Sequence, residues 1–278
     1  MVLLGRFFVL LVPCAAVEGQ GIGRARPCHR ARGARRFDFD RVFSPRASQV
    51  DIYREVARPL VDAVFKGVNA CALAYGQTGS GKTYTVFGTD DVKNKNSWFY
   101  HETPHSSWGI LPRLAWDIFQ DRKDGWKVTM KYFQNVVETV RDLASPQATE
   151  KVYKEGMRKD QDGFMDIQWC QSTVLNSWGD LRKAFIAANA RKAIAPTQFN
   201  PQSTRGHCIM TIEVLMPDEQ DPSIKKRGRV YVCDLAGTEP AGDIYFANYE
   251  TVPMGDGTTE QKLVGPHADQ AKTKELRA

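Results

Sequence analysis

No two of the six cysteines (Cys14, Cys28, Cys71, Cys170, Cys208, Cys233) stand in a C-x-x-C pair. The usual zinc cluster and a dense disulfide framework are therefore not indicated, and a reducing compartment is the simpler expectation. Cys71 and Cys233 sit in apolar, strand-like runs, where free thiols are commonly buried. No internal repeat is present. No apolar run is long enough to cross a bilayer, so no membrane span is expected. Residues 1–17 are apolar apart from Arg6. Phe7 to Val17 reads either as the hydrophobic stretch of a secretory signal, with Ala15-Ala16 near a cleavage site, or as a buried first strand.

The body of the chain also lacks net charge. The formal charge of +6 over 278 residues comes from residues 1–36, where seven arginines face one acid, Glu18. The other residues carry 31 basic and 31 acidic side chains. The basic character reports an N-terminal arm, and no nucleic-acid partner is expected of the remainder. Residues 18–36 are rich in Gly and Arg and read as a flexible tail. The expected division is a basic arm over 1–36, signal-like or disordered, and a folded unit over 37–278.

What the chain does have is Gly76, Gln77, Thr78, Gly79, Ser80, Gly81, Lys82 and Thr83, a complete phosphate-loop pattern G-x-x-x-x-G-K-[ST]. Glycines at 76, 79 and 81 let the backbone curl its N–H groups toward phosphate oxygens. A helix beginning near Lys82 adds its positive end. Lys82 is expected to reach the β- and γ-phosphates, and the Thr83 hydroxyl to bind Mg²⁺. Ala70 to Tyr75 is a short, nearly all-apolar run that fits the buried strand this loop requires. A nucleotide motif of this cytosolic type argues against secretion.

In chain order, Phe37 to Phe43 alternates as a half-buried strand. Ser48 opens a helix that Pro59 kinks and Gly67 stops. The helix after the phosphate loop ends at Gly88. Residues 89–108 read as a polar surface loop. It contains His101-Glu102-Thr103-Pro104-His105, a literal H-E-x-x-H. In zinc proteases a helix puts both histidines on one face, and Pro104 opposes that helix. Further helices are expected from Gly109 and over 175–195, the second with Leu181, Ala184, Phe185 and Ala188 inward. Strands are expected over 126–133, 206–216 and 227–235, with a strand or short helix over 136–143. Residues 144–165 read as a hairpin or loop. No firm period is seen over 236–270, and 269–278 reads as the start of a helix.

Two later stretches narrow the chemistry. Val230 to Gly237 is an apolar strand ending in Asp234, where such folds hold the Mg²⁺ shell, and Gly237 can offer an N–H to the γ-phosphate. Asn200 to His207 packs Ser203, Thr204 and Arg205 ahead of a strand, and Arg205 can pair with Glu239.

Together these segments resemble the kinesin motor domain. Residues 76–83 match the family's G-Q-T-G-S-G-K-T at every position. Asn200, Ser203, Thr204, Arg205, Gly206 and His207 follow its N-x-x-S-S-R-S-H, and Asp234 to Glu239 its D-L-A-G-S-E. Phe37 to Phe43, Gly67 to Ala70, Gly109 to Arg113 and Glu138 to Leu143 add to the likeness, which covers roughly 37–239 in the family's order.

The resemblance implies an α/β fold of the P-loop NTPase type, three layers deep, with a central mostly parallel or mixed sheet and helices on both faces. It implies ATP and Mg²⁺ as cofactors and hydrolysis of ATP to ADP. Microtubules (tubulin) would be the partner, and the cytoplasm and cytoskeleton the location. Thr83, Thr204 and Asp234 would serve the metal, and Ser203 and Thr204 would close on the γ-phosphate. Gly237 would sense it, Arg205 and Glu239 would form the closing salt bridge, and Tyr84 would lie near the adenine. Departures from the pattern are Thr204, Gly206 and Thr238 where the family has serine. A first strand ending R-x-R-P, for which Arg24 to Pro27 fits the letters, lacks a clear strand before it. The relay helix and neck elements are expected to lie beyond this sequence. Two readings of function stand: a microtubule motor, and a nucleotide-binding kinesin-like chain with a regulatory or structural role.

Overall fold

The computed structural model describes residues 6–11, 39–91, 93–136, 138–152, 157–160, 165–192, 206–218, 220–221, 223, 225–237, 248–253 and 259–264. Strand β1 (Arg6–Leu11) is followed by helix α1 (Gln49–Ile52), a π-helical turn (Tyr53–Ala57) and α2 (Arg58–Phe65). Then come β2 (Ala70–Tyr75), α3 (Lys82–Phe87), a single 3₁₀ turn (Trp98–Tyr100) and α4 (Ile110–Asp121). Strands β3 (Lys127–Val136), β4 (Thr139–Asp142), β5 (Glu150–Val152), β6 (Met157–Lys159), β7 (Met165–Ile167) and β8 (Thr173–Leu175) lead to α5 (Trp178–Asn189). The remaining strands are β9 (His207–Pro217), β10 (Lys225–Asp234), β11 (Asn248–Pro253) and β12 (Thr259–Val264).

The central sheet runs β1-β2-β10-β9-β3-β4-β5, with β8 also on β3. It is mixed. β1, β2 and β10 are parallel, and every other pair is antiparallel. Period-two alternation explains the core. Val128, Met130 and Tyr132 of β3 point the same way as Cys208, Met210, Ile212, Val214 and Met216 of β9, and all are buried. Val230 and Val232 of β10 and Ala70, Ala72 and Ala74 of β2 continue that face. The described helices pack on it: α2 and α3 touch β2 and β10, α4 touches α2, α3 and α5, and Phe185 of α5 stacks on Tyr132 at 5.5 Å. The opposite face is partly covered by the β6–β7 hairpin. There Lys131 pairs with Asp166 at 2.7 Å, and Arg229 bridges Asp160 and Glu213. A mixed sheet with helices is the expected P-loop class, and no described helix is long and apolar enough to cross a membrane.

Several local expectations change. Arg6–Leu11, inside the stretch read as a basic arm, pairs in register with all of β2. Residues 39–43 are not a strand, and Phe39 and Val42 are about half exposed. Alternation makes a strand only when a neighbour supplies hydrogen bonds, and none lies alongside among the described residues. Pro59 sits in the first turn of α2, where a missing N–H costs little. The π turn before it, with the Arg58 N–H on the Tyr53 carbonyl, absorbs the break. Ser48 caps α1 through a reciprocal pair with Asp51.

Loop 89–108 is not a simple surface loop. Trp98, Phe99 and Trp108 are buried, Trp98 lies 5.1 Å from Phe185, and Trp108 lies 4.7 Å from Trp178. Helix α5 starts only at Trp178, capped by Ser177, because residues 173–175 are taken by the sheet. A hairpin, β11–β12, occupies part of 236–270, where no period was expected. Arg24 to Pro27 and 269–278 lie outside the described residues.

Candidate functional site

β2 delivers the chain to the phosphate loop and α3 takes it away. Gly76, Gly79 and Gly81 have φ of 153°, 79° and 92°, backbone that side-chain-bearing residues rarely adopt. These three positions therefore need glycine for the curl itself. Lys82 is 7% exposed, and its Nζ donates to the carbonyls of Gly76 (2.9 Å) and Gln77 (2.8 Å), so the ammonium is tied to the loop it serves. Thr78 and Ser80 complete the loop, and the Ser80 hydroxyl is buried without a partner among the described residues. Tyr84 is 52% exposed at the start of α3, and its carbonyl accepts from Gln49 Nε2 at 2.6 Å. That bond ties α1 to the loop helix.

Because β10 lies beside β2 in parallel, Asp234 arrives level with Ala74, next to the loop. Thr83 Oγ1 donates to Asp234 Oδ2 at 2.7 Å. Asp234 is 6% exposed, and its Oδ1 has no hydrogen-bond partner among the described residues. Burial holds its carboxyl above the ordinary range, against the Thr83 bond and the charges of Lys192 and Lys82. A hydroxyl oxygen beside a buried carboxylate with one oxygen unsatisfied is a hard-oxygen donor set that fits Mg²⁺. Thr83 and Asp234 could hold such an ion.

The Leu235 N–H continues past Asp234 to the Ala74 carbonyl at 3.3 Å, and the next N–H, of Ala236, donates to His207 Nδ1 at 3.1 Å. His207 thereby joins the two later motifs. Burial pushes its pKa down, which keeps the ring neutral and able to accept. Sequence reasoning had His207 among the motif letters but gave it no role. A serine Cβ at Gly206, as in the family pattern, would approach the side chains of Gln134 and Val136 to 2.7–2.8 Å. The glycine thus permits close seating on β3, in place of the loosening its flexibility suggests. Gly237 is described beside Ala236. Ser203, Thr204, Arg205, Thr238 and Glu239 lie outside the described residues, as does the Arg205–Glu239 pairing.

His101 and His105 do not form a zinc pair. Residues 101–105 are not helical, and the two rings stack at 3.8 Å and 9°, so their in-plane lone pairs run parallel and do not converge. Among the described residues no group of three or more His, Cys, Asp or Glu could hold a metal. None of the described cysteines, 71, 170, 208 and 233, stands in a disulfide, and the sulfurs of Cys71 and Cys233 are 4.0 Å apart.

Comparison with known proteins identifies the family. The family model of the kinesin motor domain matches residues 15–248. The chain is 32% identical over 207 residues to the chromosome-associated kinesin KIF4B of Homo sapiens, covering 73% of this chain and 16% of that protein. It is 32% identical over 211 residues to kinesin-like protein 3 of Schizosaccharomyces pombe, covering 74% and 35%. It thus spans a minor part of these relatives' length. Among solved structures, a fast kinesin superposes with a TM-score of 0.64 at 24% identity, over 86% of this chain and 59% of that one. A KIF14 dimer with AMP-PNP, in complex with a microtubule, superposes with 0.57 at 25% identity, over 70% and 53%. With the family model matched over most of the sequence and these relatives 32% identical over nearly three quarters of it, the chain belongs to the kinesin motor-domain family.

Proposed function

We propose that this chain is the nucleotide-hydrolysing part of a microtubule motor, binding ATP and Mg²⁺ at residues 76–84 and coupling hydrolysis to microtubule binding at the cytoskeleton, in the cytoplasm. The observation that carries the reading is the 2.7 Å bond from Thr83 to Asp234, which joins the phosphate loop to the strand that leads into the motif over Asp234 to Glu239. Loop N–H groups from Gly76 to Gly81 cradle the phosphates, and Lys82 exchanges its two carbonyl bonds for phosphate oxygens. Thr83, Thr204 and Asp234 hold the Mg²⁺, which when bound offsets charge on the transferring phosphoryl group. Ser203 and Thr204 close on the γ-phosphate, and Gly237 donates its N–H there. Arg205 and Glu239 pair to shut the site and order the attacking water. Tyr84, exposed at the loop's exit, offers its ring to the adenine. The Ala236–His207 bond ties the segments on either side of that closure.

The kinesin-family relatives and the microtubule-bound KIF14 neighbour support the choice of partner. The test is the rate of phosphate release from ATP with and without taxol-stabilised microtubules. Stimulation of ten-fold or more is expected. ATP turnover that ignores microtubules would sink the motor reading and leave a nucleotide-binding chain with a regulatory or structural role.

A further inference from the structure

Cys71 and Cys233 take no part in the nucleotide chemistry. Cys71 stands in β2 and Cys233 in β10, parallel neighbours in the sheet. Alternation puts both on the face away from Ala70, Ala72, Val230, Val232 and Asp234. The pair therefore lies behind the nucleotide site, on the other side of the sheet. Cys71 is partly exposed and Cys233 is 7% exposed. Their sulfurs are 4.0 Å apart, one thiol donating to the other.

The register decides what can join them. Cys71 is level with Tyr231 and Cys233 with Leu73, so the two cysteines are diagonal, one strand across and two residues along. Sheet spacing sets their Cα atoms about 8 Å apart. A disulfide spans at most about 7 Å without backbone movement, and its sulfurs must close to about 2.05 Å. Two metal–sulfur bonds of about 2.3 Å reach up to about 4.6 Å between sulfurs. A shared ion thus fits the 4.0 Å separation with both strands left in place.

The surroundings decide which ion. Leu73 of β2 and Ile209 of β9 are level with Cys233 on either side. Among the described residues no His, Asp or Glu joins the two thiols in a group of three. Mg²⁺ finds no carboxylate there, and a four-coordinate Zn²⁺ is two ligands short. Soft thiolates select copper(I), which two sulfurs satisfy.

We propose that Cys71 and Cys233 form a two-sulfur site for a soft monovalent metal, copper(I). On binding, each S–H bond gives way to a Cu–S bond and two protons pass to solvent. No electron is transferred, and the complex carries one negative charge. The ion staples β2 to β10, the strands that deliver the phosphate loop and Asp234. The site is separate from the proposed nucleotide chemistry and stands or falls without it.

The test is anaerobic titration of the reduced chain with copper(I) bicinchoninate, following loss of the coloured complex, with melts of the metal-free variants to establish that each folds. Wild type should withdraw about one more equivalent of copper(I) than Cys71→Ala or Cys233→Ala, and the double variant should match either single one. The double variant also reports what the remaining cysteines take up. Cys71→Ala, at the more exposed position, carries the comparison alone if Cys233→Ala fails to fold. Cys208→Ala, which removes a buried thiol on the core face, should behave as wild type. Metal should raise the melting temperature of wild type by more than that of either single variant, since the ion binds the paired strands of the folded chain. Excess MgCl₂ should displace nothing. Equal uptake by wild type and the single variants would overturn the site. So would displacement by MgCl₂, or a 71–233 disulfide forming under diamide in a chain that takes up no copper there.

Discussion

Helix α3 has a loop at each end, and the two are held by opposite means. At its start the phosphate loop is a backbone structure, made by three positive-φ glycines and the Lys82 ammonium clamped on two carbonyls. At its end, residues 89–108 are held by side chains. Trp98, Phe99 and Trp108 pack against Phe185 and Trp178, and Arg113 fastens the carbonyls of His105 and Trp108 from α4. The first loop's chemistry is written within eight residues. The second loop's shape depends on partners some eighty residues away.

That contrast predicts a separation of effects. Trp98→Ala removes a fully buried ring that meets Phe99, Trp178 and Phe185. It should destabilise the chain by about 3–5 kcal/mol in denaturant unfolding while leaving nucleotide affinity of the folded fraction within about two-fold. A comparable loss of affinity would mean that the aromatic loop and the phosphate loop are one unit. Lys82→Ala should do the reverse. ATP affinity in titration calorimetry should drop about a hundred-fold or more, with a melting temperature within a few degrees of wild type. Unchanged affinity would refute the site.

The smallest effect concerns His207. Its folded pKa is depressed, so the unfolded chain binds the proton first as pH falls. Stability should therefore be fully present above the ordinary histidine value of about 6.5 and decline below it until the folded pKa is reached. His207→Gln should flatten that part of the pH–stability curve. A variant that keeps the decline would assign it to other groups.

The same contrast explains what could be read in advance. The loop at 76–83, the strand to Asp234 and the inward residues Leu181, Phe185 and Ala188 of α5 were legible because each is encoded by local spacing. The burial of loop 89–108 was hidden because its average polarity masks three aromatics whose partners are distant in sequence. The alternating run misled over residues 39–43 for the reverse reason, since its alternation is local and the pairing partner it lacks among the described residues is not. Lys192 carried no signal at all. A basic residue past a helix end is common, and only the fold brings it over Phe87 and Tyr132.

The π turn at Tyr53–Ala57 has a consequence for phase. A regular helix advances about 100° per residue, so one extra residue in a turn re-aims everything after it. Gln49 lies before the turn and holds the Tyr84 carbonyl just after the phosphate loop, while Leu60, Val61 and Val64 lie after it and face the core. The widened turn sets the angle between these two duties. A deletion of one residue within 53–57 would leave a smoother helix that points either Gln49 or the core residues the wrong way, and would bring the ring of Pro59 against the carbonyl one turn earlier. The irregularity is thus the gear that lets one helix serve both the core and the site.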